Sequence, residues 1–119
     1  MKAETSPVYF FKDLADDTRL KIILMLMLEQ ELCVCELTFA LDLSQPKISR
    51  HMAQLKAHDL VEERKVGRWV FYRLSADMLA WQYETIKQCL TNNSNFIVSF
   101  RLTLDQMGDR PNRQQACCE

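Results

Sequence analysis

Ser44-Gln45-Pro46-Lys47-Ile48-Ser49-Arg50-His51-Met52-Ala53-Gln54-Leu55 is the stretch on which the fold turns. Ser44 is a strong N-cap, and Pro46 falls in the first helical turn, where a missing N–H matters little. Ile48, Met52 and Leu55 stand at i, i+4 and i+7 and share one face. At about 100° per residue, Pro46, Lys47, Arg50, Ala53 and Gln54 lie opposite, with Ser49 and His51 on the flanks. That polar face has no acidic residue. A helix apolar on one side and cationic on the other suits the major groove of DNA, where phosphates attract cations and base edges accept hydrogen bonds.

Upstream, Leu37, Ala40 and Leu41 predict a short helix starting near Val34 or Cys35. Val8, Phe10, Phe11, Leu14 and Ala15 predict another over 8–15. Between them, Asp16 and Asp17 offer N-cap oxygens for a helix from Thr18, with Leu20, Ile23, Leu24, Met27 and Leu28 as its buried stripe. Downstream, Leu60–Val66 and Arg68–Leu74 alternate as strands and meet at Gly67, a hairpin with Arg64, Lys65 and Arg68 around its turn. Leu79, Tyr83, Ile86 and Leu90 then give helical spacing from Asp77. Residues 96–104 fit both periods; helix is favoured because no partner strand is evident. The order predicts a mainly α fold with a β-hairpin, a winged helix-turn-helix over 1–108. A polar tail, 109–119, carries Cys117 and Cys118.

The composition fits this reading. A chain of 119 residues with 48% hydrophobic and 26% charged residues suits one globular domain. Two glycines and three prolines favour helices over a turn-rich β fold. The apolar run Ile22–Leu28 falls well short of the roughly 20 residues that span a bilayer. With no charged-then-apolar start, the expected location is cytoplasmic, away from membranes. The net charge of −1 conceals an asymmetry. Residues 44–74 hold seven basic and three acidic side chains, a net of +4, whereas residues 1–43 hold four basic and eight acidic, a net of −4.

Five cysteines is an odd number, which suits metal binding or redox sensing in a reducing compartment better than a disulfide framework. Cys33-Val34-Cys35-Glu36-Leu37 puts two soft ligands just before the DNA-reading helix. That arrangement suggests a regulator whose hold on DNA changes when a thiol-seeking ion binds. On an intact helix the two thiols would point about 200° apart, so joint chelation needs an extended or unwound helix start. Neither a Cys-x-x-Cys, a Ser/His/Asp set nor a glycine-rich phosphate loop is present, and no enzyme activity is expected. His51 and His58 share a helix face without a carboxylate cluster and read as structural or phosphate-facing. Met25 and Met27 read as core.

Leu14-Ala15-Asp16-Asp17-Thr18-Arg19-Leu20, the Cys33–Leu37 segment, Ser44–His51 and Gly67-Arg68-Trp69 together resemble the ArsR/SmtB family of metalloregulatory repressors, in its arsenical-resistance branch. The resemblance covers roughly residues 8–92. It implies a homodimer on double-stranded operator DNA with an inverted repeat, released when trivalent arsenic or antimony binds Cys33 and Cys35, with no resident cofactor. Ser44, Gln45, Lys47, Ser49, Arg50 and His51 would meet DNA from the recognition helix, and Lys65 and Arg68 from the wing. The dimer seam would combine the long helix from Asp77 with the N-terminal helix.

Thr38 stands where the branch usually has a third cysteine. A third thiolate would then come from Cys117 or Cys118, or from Cys89. Alternatively, a two-thiol site would suit methylated or aryl trivalent arsenicals, which have two exchangeable positions. A thiol redox sensor using Cys33 and Cys35 is the remaining alternative. A zinc or cadmium sensor would want histidine–carboxylate pairs on the long helix, but residues 77–92 hold only Asp77 and Glu84 and no histidine.

Overall fold

A computed structural model describes residues 6–106. Six helices and a small sheet follow one another as α1 (Pro7–Leu14), α2 (Asp17–Glu29), β1 (Leu32–Cys33), α3 (Val34–Leu41), α4 (Gln45–Ala57), β2 (Val61–Val66), β3 (Trp69–Leu74) and α5 (Ala80–Asn92). A 3-10 turn (Ser94–Ile97) leads into α6 (Val98–Asp105).

Helix α2 is the centre of the molecule. The Asp16 carboxylate accepts from the Arg19 backbone N–H at 2.9 Å and caps it. Ile22, Ile23, Leu24, Met25 and Leu26 are all at most 1% exposed. Five consecutive buried residues mean burial on every side, so the stripe expected at Leu20, Ile23, Leu24, Met27 and Leu28 is too narrow. Leu20 and Met27 are only half-buried and Leu28 is exposed. A central helix has neighbours all round and needs no amphipathic pattern.

Helices α3 and α4 pack on each other as the helix pair, α4 also against α2 and α3 against α6. Ile48, Met52 and Leu55 are fully buried, as their spacing requires. Each such burial is worth about 1.5–3 kcal/mol, which holds α4 by one face and leaves the other outside. Strands β2 and β3 pair antiparallel from Val61↔Leu74 to Val66↔Trp69, leaving Gly67 and Arg68 as a two-residue turn. Gly67 has φ +60°, and glycine at the first turn position fits a tight hairpin of type II′.

Three expectations need correction. The hairpin has a third strand: β1 pairs with β3 through Leu32↔Tyr72 and Cys33↔Phe71, giving the order β1-β3-β2. Two residues carry no readable alternation, so only the neighbour reveals the strand. Helix α5 starts at Ala80, not Asp77, because Ser75–Leu79 first turns the chain. Of its expected inner face, Ile86 is buried and Leu90 half-buried, but Leu79 and Tyr83 are exposed and Gln82 is buried instead.

Residues 96–104 are helical, a 3-10 turn running into α6. Lys21 holds this segment to α2, its ammonium 5.4 Å from the Phe96 ring centroid and 4.6 Å from that of Phe100. The expected tail, with Cys117 and Cys118, lies outside the described residues. No described helix is long and apolar enough to cross a membrane.

Candidate nucleic-acid interface and thiol pair

The outer face of α4 carries Gln45, Lys47, Ser49 and Arg50, all exposed. Ser44 caps the helix, its Oγ accepting from the Lys47 backbone N–H at 3.4 Å. At the far end of the hairpin, Lys65 and Arg68 flank the Gly67 turn and are exposed.

Of the seven cations between 44 and 74, three are held by carboxylates. Lys56 pairs with Glu63 at 2.9 Å, Arg73 with Glu62 at 2.8 Å, and Arg64 with Glu31 through two bonds of 2.6 and 3.0 Å. Arg64, one of the cations expected around the wing turn, also stacks on Phe71 at 5.0 Å and ties β2 to the approach to β1. Lys47, Arg50, Lys65 and Arg68 form no ion pair among the described residues. These four lie on the two elements that would meet DNA, with no internal anion to displace before binding a phosphate.

His51 sits differently from its neighbours. It is half-buried, and its Nδ1 lies 3.4 Å from Arg19 Nη1, so it faces α2 rather than open solvent. Burial lowers its pKa from the ordinary 6.5; Asp16 pulls upward, while Arg19, Arg50 and Lys47 add to the lowering.

The two cysteines occupy unlike places. Cys33 closes β1 and is the N-cap of α3, with extended backbone (φ −88°, ψ 165°) and 1% exposure. Glu36, fully buried, reaches back to accept from the Cys33 backbone N–H at 2.8 Å, completing a capping box. Cys35 lies inside the first turn of α3 and is half-buried. It opens onto a cleft of about 570 Å³ whose other walls include Thr38, Phe39, Ala40, Asp42 and, from α6, Thr103. The Thr38 hydroxyl donates to the Cys35 carbonyl at 2.8 Å, closing the helical turn. Cys33 is therefore already outside the helix, and the 200° divergence expected of a continuous helix does not apply. Burial of Cys33 is the obstacle to joint chelation.

Cys89, on α5, is half-buried against the core. No third His, Cys, Asp or Glu joins the pair in a metal-holding cluster among the described residues.

Sequence reasoning missed a polar network centred on the buried Asp13 of α1. Asp13 is 1% exposed; its carboxylate accepts from Gln54 Nε2 at 2.8 Å and from His58 Nδ1 at 2.5 Å. Gln54, expected on the face towards DNA, spends its amide here. Nothing in the spacing of Asp13 to Gln54 or His58 signals this. By contrast, Cys33-x-x-Glu36 has capping-box spacing, and that signal could have located the start of α3.

Comparisons with known proteins agree with this arrangement. Residues 16–63 match the model of the bacterial regulatory proteins of the arsR family, a helix-turn-helix domain. The arsenic resistance transcriptional regulator ArsR1 of Pseudomonas putida is 44% identical, over 98% of this chain and 91% of its own. The arsenical resistance operon repressor of Escherichia coli is 54% identical over 69% of this chain and 70% of its own. Among solved structures, HlyU from Vibrio cholerae superposes with a TM-score of 0.66 at 34% identity, covering 79% of this chain and 99% of that one. With a helix pair, a wing and relatives of this likeness, the chain belongs to the arsR family of bacterial transcriptional regulators, which are DNA-binding regulators and not enzymes.

Proposed function

We propose that this chain is a repressor that binds an inverted-repeat operator as a homodimer and leaves it when trivalent arsenic or antimony is held by Cys33 and Cys35. Support for the DNA half comes from the cations of α4 and the wing that form no ion pair among the described residues. Gln45, Lys47, Ser49 and Arg50 would enter the major groove, Arg reading guanine and Gln adenine. Lys65 and Arg68 would contact phosphate or the minor groove.

The observation that carries the switch is the double duty of Cys33. Its backbone belongs at once to the β1–β3 ladder, opposite Phe71, and to the N-cap of α3. A soft trivalent metalloid favours thiolates, and Cys33 can offer its sulfur only by giving up its buried position. Leaving it disturbs the strand that joins the wing and the cap of the helix that supports α4. A ligand shifts such an equilibrium only through its preference for the disturbed state, and a second thiolate at Cys35 supplies that preference.

The seam between subunits we assign to α1 and α5. Val8, Tyr9 and Phe11 are exposed on α1, and Trp81 and Tyr83 on α5. Trp81 packs edge-on to Phe10 at 4.9 Å, which makes the two helices one surface.

In a mobility-shift titration, Cys35→Ser should bind operator normally and no longer release it with arsenite; Cys33→Ser should do the same if its core tolerates the hydroxyl. Normal release by Cys35→Ser rejects the site. A chain ending at Gly108 that still responds removes Cys117 and Cys118 from the ligand set. Release by peroxide alone would favour a thiol oxidation switch.

A second reading, for monosubstituted trivalent arsenicals, is favoured by the cleft beside Cys35. Two thiolates leave one valence of arsenic for an organic group, and Phe39 and Ala40 offer it an apolar wall. Tighter response to phenylarsine oxide than to arsenite would select this reading.

A further inference from the structure

We propose that Asp13 is a positioning residue that fixes the recognition helix relative to the dimer seam, and thereby sets the half-site spacing the protein accepts. This rests on the assignment of the seam to α1 and α5. Helix α1 has two working faces. Outward it shows Val8, Tyr9 and Phe11; inward it buries Phe10 and Asp13, each 1% exposed. Phe10 fills the core as expected of an inward residue. A carboxylate at the same depth is costly unless hydrogen bonds satisfy it.

Both carboxylate oxygens are satisfied from α4: Gln54 donates to Oδ1 and His58 to Oδ2, at 2.8 and 2.5 Å. The Tyr9 ring lies 5.6 Å from that of His58. The backbone of the same residue is also linked: Arg19 Nε donates to the Asp13 carbonyl at 2.9 Å, and Arg19 Nη1 lies 3.4 Å from His51 Nδ1.

His51, Gln54 and His58 stand at i, i+3 and i+7, so they form one face of α4. That stripe is separate from the buried Ile48, Met52 and Leu55; exposed Lys47, four residues before His51, continues it towards the helix N-terminus, and His58 is the C-cap at its other end. The recognition helix thus holds the core with one side, while its polar side offers Lys47 and Arg50 to DNA in the N-terminal half and Gln54 and His58 to the seam helix at the C-terminal end. Apolar contacts alone allow small slides and rotations; directional hydrogen bonds to a buried carboxylate select one arrangement. Any angular error between α4 and α1 is doubled by the two-fold axis. Two recognition helices must reach half-sites about one helical turn apart, so spacing is the quantity most sensitive to this joint.

The test uses the full chain and duplexes carrying an inverted repeat selected from random DNA, with the half-sites kept or moved by one or two base pairs. Wild type should prefer the selected spacing. Asp13→Ala should bind that spacing about tenfold or more weakly. Its ratio of affinities between selected and altered spacings should fall towards one, while sedimentation still reports a dimer. A role confined to folding would lower thermal stability and leave the spacing ratio unchanged, and that result overturns the proposal. If Asp13→Ala does not fold, Gln54→Ala combined with His58→Ala removes the same bonds from the α4 side and is read by the same ratio. A monomeric wild type would overturn the seam assignment and this inference with it; a dimeric variant with intact spacing discrimination overturns the Asp13 role alone.

Discussion

His51 and Arg50 are neighbours in sequence and stand in different electrostatic worlds. Arg50 is exposed and forms no ion pair among the described residues, whereas His51 is tucked against Arg19, with burial lowering its pKa below the ordinary 6.5. A lowered folded-state pKa means that the unfolded chain takes up the proton more readily. Stability contributed by neutral His51 is therefore full at neutral pH and declines as pH falls below about 6.5 towards the folded-state value. Thermal melts against pH should show a steeper acid-side decline for wild type than for His51→Gln, and equal slopes would refute the assignment. Reading His51 from its place beside Arg50 suggested a DNA contact. The wheel put it on a flank, and only its packing against Arg19 shows where that flank faces.

At the scale of elements, the wing illustrates how local chemistry and pairing divide the work. Alternation in Trp69–Leu74 and a glycine between two β-rich runs were enough to place the hairpin, and Gly67 occupies the one turn position with positive φ there. A Cβ at Gly67 would meet nothing within 4 Å, so the cost of Gly67→Ala is conformational, about 1–2 kcal/mol. Such a variant should lose about that much stability and melt at a lower temperature. It should lose operator affinity only modestly, because Lys65 and Arg68 remain; an unchanged melting temperature would contradict the turn assignment. Strand β1 carries no local signal of its own, although it shares Cys33 with the segment singled out for its cysteines. Its two residues owe their strand character wholly to the edge of β3.

For the molecule as a whole, the exposed aromatic surface of α1 and α5 makes the strongest demand for a partner. Val8 is 58% exposed and Phe11 51%, on a helix whose other face is core. Large apolar side chains so placed mark association surfaces more often than bare solvent faces. Phe11→Glu should leave the fold intact, since the side chain points outward, yet shift the protein towards monomer in sedimentation and weaken operator binding through lost two-fold avidity. A dimer unaffected by this change would move the seam elsewhere. The same surface connects through Asp13 to α4, while Cys33 connects to the wing through β3. Under the proposed function, association and ligand response would reach the DNA-binding elements by separate routes.

Residue order by itself determined the helix pair, the cap at Ser44, the buried triad Ile48, Met52 and Leu55, the wing turn at Gly67 and the thiol pair. Each follows from rules acting over a few residues: helical periodicity, capping geometry and left-handed backbone tolerance. Tertiary structure alone decided which cations are already neutralised, that Cys33 is a buried strand-end N-cap while Cys35 borders a cleft, and that Asp13 is held by Gln54 and His58. The contacts of Asp13 with Gln54 and His58, and of Arg64 with Glu31, join residues some 30 to 45 positions apart. No local propensity encodes them, because the partner's position depends on how the helices pack around α2.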